Sequence, residues 1–413
     1  MIAILKREWK SYFQNITGWL FIAAVLALYG LYFLAYNLRA GYPYVSYTLS
    51  AISFIMLIAV PILTMRSMAE ERHSRTDQLV LTAPVSLGKM IFGKFLAMVG
   101  VFTVAVAVIA VTPLVLAAFG TVPMGENYVA VLGFWLYGCT CIAVGMLASA
   151  LTESQVIAAV VAFAFLFLGY MMNSITGLIG DHLVTKVLGA YDLYTPLQSF
   201  MSGCLDLTGV VYFVSVTGLC LFLTCQCVQK RRWSMTTKKL TTGMFSVAMI
   251  VVGFAVAVAV NLVVKEMPSS WTAVDATSTK LYSLTDTTKD YVKNLSQDVT
   301  IYVLSSEKSA DSTLAETLQR YEDLSKHLKV VYKDPAKSPN FYQQYTDSAP
   351  SQNSMIVVSD ARSRVVDYSD VYEYSYDYST YSSSVDGYDA EGQLTSALQY
   401  VTKADSELPV IYE

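Results

Sequence analysis

The sequence predicts an α-helical polytopic membrane protein, six spans plus a seventh, with an extracytoplasmic α/β domain after it. Three observations predict this class. Seven apolar runs, near 17–36, 48–65, 95–119, 128–151, 155–172, 209–228 and 244–264, fill the first 265 of 413 residues. Runs of about 18 residues are long enough to cross a hydrocarbon core. Charge divides at the same place: residues 1–265 hold 16 Lys and Arg against 9 Asp and Glu, and residues 266–413 hold 12 against 23. Beyond Val264 the texture changes to short β-branched strands and amphipathic helices.

The elements follow in order. "ILKREWKSYFQNITGW" sets Ile2, Leu5, Trp9, Phe13 and Ile16 on one helical face, opposite Lys6, Arg7 and Lys10. That predicts an interfacial amphipathic helix leading into the first span. No small-residue cleavage site follows, so it is not expected to be a cleavable signal peptide. If the N-terminus is cytoplasmic, the inside segments carry thirteen Lys and Arg and the outside loops before the seventh span carry two, Arg39 and Lys186. The positive-inside rule therefore orients the chain that way and, with seven crossings, puts the C-terminal part outside.

The stretch between the second and third spans, "MAEERHSRTDQLVLTAPVSLGK" (68–89), is too shaped for a plain connection. Ser67-x-x-Glu70 predicts a capping box, Pro84 disfavours helix at Ala83, and Ser86 is placed to cap the helix of the third span. Apolar Leu79, Val80 and Leu81 inside a charged loop point to a protein partner. At the next turn on the same side, Thr152-x-x-Gln155 predicts a second capping box around Glu153. Gly88-x-x-x-x-Gly93-Lys94 imitates a phosphate-binding loop, but Phe95 stands where Ser or Thr must hold magnesium and no strand precedes it. No nucleotide or other cofactor site is expected in this chain.

Residues 173–208 are expected to form short re-entrant or interfacial helices on the outer side. His182 there has no Cys, His or carboxylate cluster to complete a metal site. The six cysteines all precede residue 228, so no disulfide framework is expected in the external part. That part is predicted to have strands at 297–305, 328–334, 354–360 and 408–412 and helices at 312–327 and 391–403. Ending on a bare strand suggests a fragment of a longer chain. The run "YSDVYEYSYDYSTYSSSVDGYD" (368–389) has seven tyrosines and five acids. It reads as a solvated hairpin or loop insertion, against a weaker reading as a sugar or cationic-polymer site, with Asp377, Asp386 and Asp389 as weak calcium ligands lacking EF-hand spacing.

"EERHSRTDQLVLTAPVS" resembles the signature of ABC transporter permeases of the type-2 exporter class, commonly EER…GT…ELLL..PVS, with Arg75 for the usual Gly and Gln78 for the usual Glu. "LTESQVIAA" (151–159) and "SFMSGCLDLTGVVYF" (199–213) agree with that layout over about residues 1–235. The resemblance implies a coupling helix that docks on a separate cytosolic ABC ATPase, at Glu70, Glu71, Arg72, Thr76, Asp77, Gln78 and Leu79, with Glu153 contributing from the second turn. ATP and magnesium would then belong to the partner. It also implies a permease homodimer or heterodimer in a cell membrane, without nucleic acid. "VDATSTKLYSLTDTTKDYVKNLSQDVTIYVL" (274–304) resembles the start of the auxiliary domain of gliding-motility-type (Gld) ABC systems, which implies a thioredoxin-like fold without redox chemistry.

The expected domains are thus 1–235, the permease; 236–266, a basic linker and seventh span; and 267–413, the auxiliary domain. The expected function is the transmembrane subunit of an ATP-driven transporter. The competing reading is a membrane-anchored structural, adhesion or motility component, which would have no use for the 68–89 platform. Spans almost free of ionisable residues argue against secondary transport.

Overall fold

The computed structural model describes residues 2–75, 86–179, 189–231, 239–265, 267, 273–275, 284–306, 309–377 and 382–403. They fall into two compact units, residues 1–267 with 272–278 and residues 268–271 with 279–413.

The first unit runs α1 (Ile2–Gln14), α2 (Ile16–Phe33) with a π-helical turn to Arg39, α3 (Ser46–Thr64), α4 (Arg66–His73), α5 (Leu87–Ile109), α6 (Thr112–Ala117), α7 (Met124–Leu151), α8 (Gln155–Ile179), α9 (Thr195–Met201), β1 (Cys204–Asp206), α10 (Leu207–Arg231), α11 (Lys239–Lys265) and β2 (Ala273–Asp275). Among the described residues, six helices are long and apolar enough to cross a membrane: Ile16–Arg39, Ser46–His73, Leu87–Ala117, Met124–Leu151, Gln155–Thr176 and Leu207–Gln229. A helix closes all its own backbone hydrogen bonds, which is what a lipid environment demands. The seventh predicted run is helical too, with a shorter apolar stretch, Ala248–Val264, among the described residues. His182 lies outside them.

Helix α7 is the pole of the bundle. Most of its span, 83%, is buried, against 28% for the α8 span and 22% for the α10 span. Its small residues let neighbours close in, with Phe102 against Gly138 and Thr64 against Gly145, as is usual where helices pack without a hydrophobic drive between them. Two asparagines close the loop between α2 and α3. Asn37 Nδ2 donates to the Tyr42 carbonyl at 2.7 Å, and Asn127 Oδ1 accepts from the Val45 amide at 2.6 Å.

The predicted face of α1 needs correction. Ile2 and Ile16 are exposed, while Ile4, Tyr12 and Phe13 pack on the core. The apolar stripe is shared between the bundle and its surroundings, and Glu8 turns inward for a reason given below.

In the second unit, strand β3 (Val299–Val303) lies between β4 (Leu328–Tyr332), parallel to it, and β5 (Met355–Ser359), antiparallel, with β6 (Ser363–Val366) beyond, in the order β4-β3-β5-β6. The parallel pair is joined through helix α13 (Ser312–Leu324), the crossover that a parallel connection requires. Helices α12 (Asp286–Lys293), α13 and α14 (Ala390–Thr402) supply Val292, Leu314, Leu318, Tyr321, Leu394 and Leu398 to a core with Val299, Ile301, Val303 and Val357. Alternation along β3, with Val299, Ile301 and Val303 buried and Thr300 and Tyr302 half-buried, follows the period of two. The strand predicted at 408–412 lies outside the described residues.

The tyrosine-rich run forms an antiparallel hairpin, β7 (Tyr372–Asp377) with β8 (Ser382–Tyr388). Its ends are tied inward rather than offered to a ligand. Tyr372 stacks near Tyr368 and Tyr388, and the Tyr368 and Tyr372 hydroxyls donate to the two carboxylate oxygens of Asp311 at 3.2 and 3.1 Å. Asp311 also caps α13, accepting from the Leu314 amide at 2.8 Å. Asp389 accepts from Gln393 within α14 at 3.1 Å, and the side chains of Asp377 and Asp386 lie outside the described residues. No group of three or more His, Cys, Asp or Glu suited to a metal occurs among the described residues.

One carboxylate thus serves a helix end and two hydroxyls. Asp311→Ala should destabilise the second unit by about 2 kcal/mol or more, combining a lost cap with a lost shared acceptor. Tyr368→Phe, which removes a single hydroxyl, should cost less than half of that. Thermal unfolding of the full chain in detergent checks both, and an Asp311→Ala transition at the wild-type temperature would refute the clamp.

Candidate functional site

The predicted platform begins in α4, which follows α3 after a single residue, Met65. With Met65 in the N-cap position, Ser67 sits inside the first turn and cannot cap it. The expected capping box does not form: the Ser67 hydroxyl is buried without a hydrogen-bond partner among the described residues, and Glu70 reaches back to Arg66 through two contacts of 2.8 and 2.9 Å. The cap comes instead from α7. Ser149 Oγ accepts from the Met68 and Ala69 amides, each at 3.1 Å, and donates to the Met65 carbonyl at 3.0 Å. Helix α4 is therefore fixed to the bundle's central pole at its first turn.

The second fixture is a buried lysine. Lys94, in the second turn of α5, has a side chain only 3% exposed. Its ammonium meets Glu71 at 2.6 Å, the Ser67 carbonyl at 3.0 Å and Glu8 of α1 at 3.8 Å. Arg7 closes the cluster, 2.6 Å from Glu8 and 3.7 Å from Glu71. Two cations and two carboxylates balance. The hydrogen bond to Glu8, opposed by partial burial and aided by the Glu8 and Glu71 charges, raises the Arg7 pKa further above its ordinary range, so that corner stays cationic. Trp9 lies flat enough on α5 that a Cβ at Gly100 would fall 1.7 Å from its ring. The glycine is what lets α1 approach and cover Lys94.

The third fixture joins the two predicted turns. Arg72 pairs with Glu153 at 2.8 Å and donates to the Leu151 carbonyl at 3.3 Å. Around Glu153, Thr152 Oγ1 accepts from the Ser154 amide at 3.2 Å, a local turn rather than a reciprocal box with Gln155. Ser86 occupies the N-cap position of α5, but its side chain makes no capping hydrogen bond. Helix α4 ends at Ser74, and Arg75 follows with φ +56°. That left-handed residue is where the ABC signature quoted above usually has Gly, a residue with no Cβ penalty there.

The candidate docking residues therefore separate. Glu70 is half-exposed and paired with Arg66, Arg72 is paired with Glu153, and Glu71 is turned into the Lys94 cluster with only 21% of its side chain exposed. Thr76, Asp77, Gln78 and Leu79 lie outside the described residues. Sequence reasoning missed Arg7, Glu8, Lys94 and Ser149. The available signal was Lys94 itself, a charge set within the apolar third-span helix.

No group of three or more His, Cys, Asp or Glu suited to a metal occurs in the arrangement among the described residues. What it can do is mechanical: a short polar helix is held at both ends by three different helices. Lys94→Met should lower stability by about 3 kcal/mol or more, because it leaves Glu71 and Glu8 with an uncompensated buried charge. Adding Glu71→Gln should recover a large part of that loss. Unfolding midpoints in detergent for wild type, the single variants and the double variant form the test; strictly additive losses would mean that the pair is not coupled.

Two family models match the chain. Residues 278–370 match a domain of unknown function (DUF7088). No curated protein matches the chain, and no solved structure does. Residues 39–228, which hold α4, its anchors on α5 and α7 and the bundle from α3 into α10 but not α1, α2 or α11, match the ABC-2 family transporter protein family, so this stretch carries an ABC-2 transporter membrane domain.

Proposed function

We propose that the chain is the permease subunit of an ATP-driven ABC transporter, and that a separate cytosolic ATPase docks on α4 and the residues that follow it. The observation that carries this reading is the triple anchoring of α4 by Ser149, Lys94 and Glu153. A helix that must transmit closure of a partner to membrane helices needs a stiff mounting, and a loop that only connects spans does not. The N-terminus and α4 are cytoplasmic on this reading, α11 is the seventh span, and the C-terminal unit is extracytoplasmic. The strand order β4-β3-β5-β6, with its parallel pair and α13 crossover, supports a thioredoxin-like domain, and its reading as an auxiliary domain of the gliding-motility type rests on the resemblance of residues 274–304. The permease acts as a dimer, with itself or a relative, and ATP and magnesium reside in the partner.

The docking contact is Glu70, Arg72 and the 76–79 segment, while Glu71 acts from inside by holding α4 in place. Leu79→Asp should weaken ATPase binding at least roughly thirtyfold, the equivalent of a 2 kcal/mol interface hot spot. Pull-down of the ATPase and its stimulated turnover in vesicles measure this. Unchanged binding in a normally inserted Leu79→Asp protein would refute docking and favour the anchor reading.

Orientation has its own test. Protease added to intact spheroplasts should remove residues after about 280 and spare the stretch around Arg75. Protection of the C-terminal unit would overturn the seven-span topology.

A further inference from the structure

At the end of the bundle away from α4, helix α9 stops at Gly203, whose φ of +83° lies in the region that glycine adopts without strain. The turn feeds β1. Phe200 of α9 stands against Gly133 of α7 and Gly209 of α10. On the other side of β1, Asp206 accepts from the Thr208 amide at 2.8 Å and from its hydroxyl, which fixes the first turn of α10. β1 is therefore a three-residue strand held rigidly at both ends.

Its edge is occupied by β2, which begins eight residues after α11 ends. The strands are antiparallel, in the register Cys204↔Asp275, Leu205↔Val274 and Asp206↔Ala273. Helices α10 and α11 are joined again further in, where Asn261 Nδ2 donates to Ser215 Oγ at 2.7 Å. We propose that β1 is a strand-addition site by which the first unit captures the segment leaving α11, so that the chain beyond α11 is led back along the start of the sixth span by backbone hydrogen bonds.

The occupant is the chain's own segment because of geometry and magnitude. A pair of three-residue strands is too weak to assemble from separate molecules. Here the Asn261–Ser215 contact delivers the end of α11 to the site, and a short tether keeps the local concentration of β2 high. The consequence is mechanical. A free linker of seven residues would let its far end wander about 15 Å. A paired β2 passes movement of the α9–α10 corner directly to Asp275. The inference concerns the joint alone and holds whatever the ATPase reading's fate.

Cross-linking through the native cysteine tests it. In the full-length chain with the other five cysteines replaced and Cys204 kept, Asp275→Cys places thiols on directly opposed residues. Opposed Cα atoms in an antiparallel ladder are about 4.5–5.5 Å apart, within disulfide reach. Mild copper-phenanthroline oxidation in membrane vesicles should remove both thiols from most molecules, read as loss of two maleimide-polyethylene-glycol shifts after denaturation. Val274→Cys with Cys204, one residue out of register and on the opposite face, should keep both. A second in-register pair, Leu205→Cys with Val274→Cys in a chain whose Cys204 is also replaced, should cross-link and guards against a local defect of the first. Equal yields for in-register and out-of-register pairs, or no cross-link in either in-register pair, would overturn the proposal.

Discussion

A lysine placed in an apolar helix, close to the hydrocarbon, has to be matched or it is expelled, and the Lys94–Glu71 pair is the match around which this membrane domain is arranged. Desolvating an ammonium costs several kcal/mol unless counter-charges and hydrogen bonds replace the water. Lys94 has both, with Glu71 at 2.6 Å, the Ser67 carbonyl at 3.0 Å and Glu8 near by. Those contacts dictate the neighbours. Glu71 can reach only if α4 lies across the start of α5, and Glu8 only if α1 is pressed onto α5, which Gly100 permits under Trp9. The requirement of one cation thus fixes three helices relative to one another.

The pair also separates two roles that the sequence presents as one. Glu70 and Glu71 are adjacent, but successive helix residues point about 100° apart. Glu70 therefore faces Arg66 on the surface while Glu71 faces the interior. Reversing both charges together would confuse a lost contact with a misplaced helix. Arg72 is a third case: it spans from α4 to Glu153, and so links the two polar turns that the resemblance treats as separate contributions.

What was readable from the residues is what depends on local order. Apolar runs gave the spans, and β-branched content placed β3, β4 and β5 within a few residues of their observed ends. The helix starting at Ala390 and the hairpin character of the tyrosine-rich run were likewise readable, since both rest on local pattern. The site was less so, because its contacts are long-range. Ser149 caps α4 from about 80 residues away, and no local pattern distinguishes it from the small residues that line α7. Ser67 matched a capping pattern by spacing alone and failed because α4 starts two residues too early for it. Lys94 was read just ahead of the third apolar run, as one of the inside basic residues and as the end of a false phosphate loop, not as a charge inside a helix of the bundle.

The two ends of the bundle are held by different physics, and the difference suits what each must do. At the α4 end the fixtures are ionic and side-chain based, so their strength depends on exclusion of water and on α1 staying seated. At the α9 end the fixtures are a glycine turn, a capped helix start and a backbone ladder, which rest on backbone geometry and local hydrogen bonds rather than on ion pairs. Between them α7 contributes to both, Ser149 at one end and Gly133 at the other. A displacement of α4 is therefore applied directly to the helix on which the Phe200 corner rests. Coupling of the two ends requires that α7 move as a rigid element with two arrangements, which is a physical condition and not merely a matter of lying between them. Its near-complete burial is what makes rigid movement the low-cost response, since bending a close-packed helix would open voids on every side.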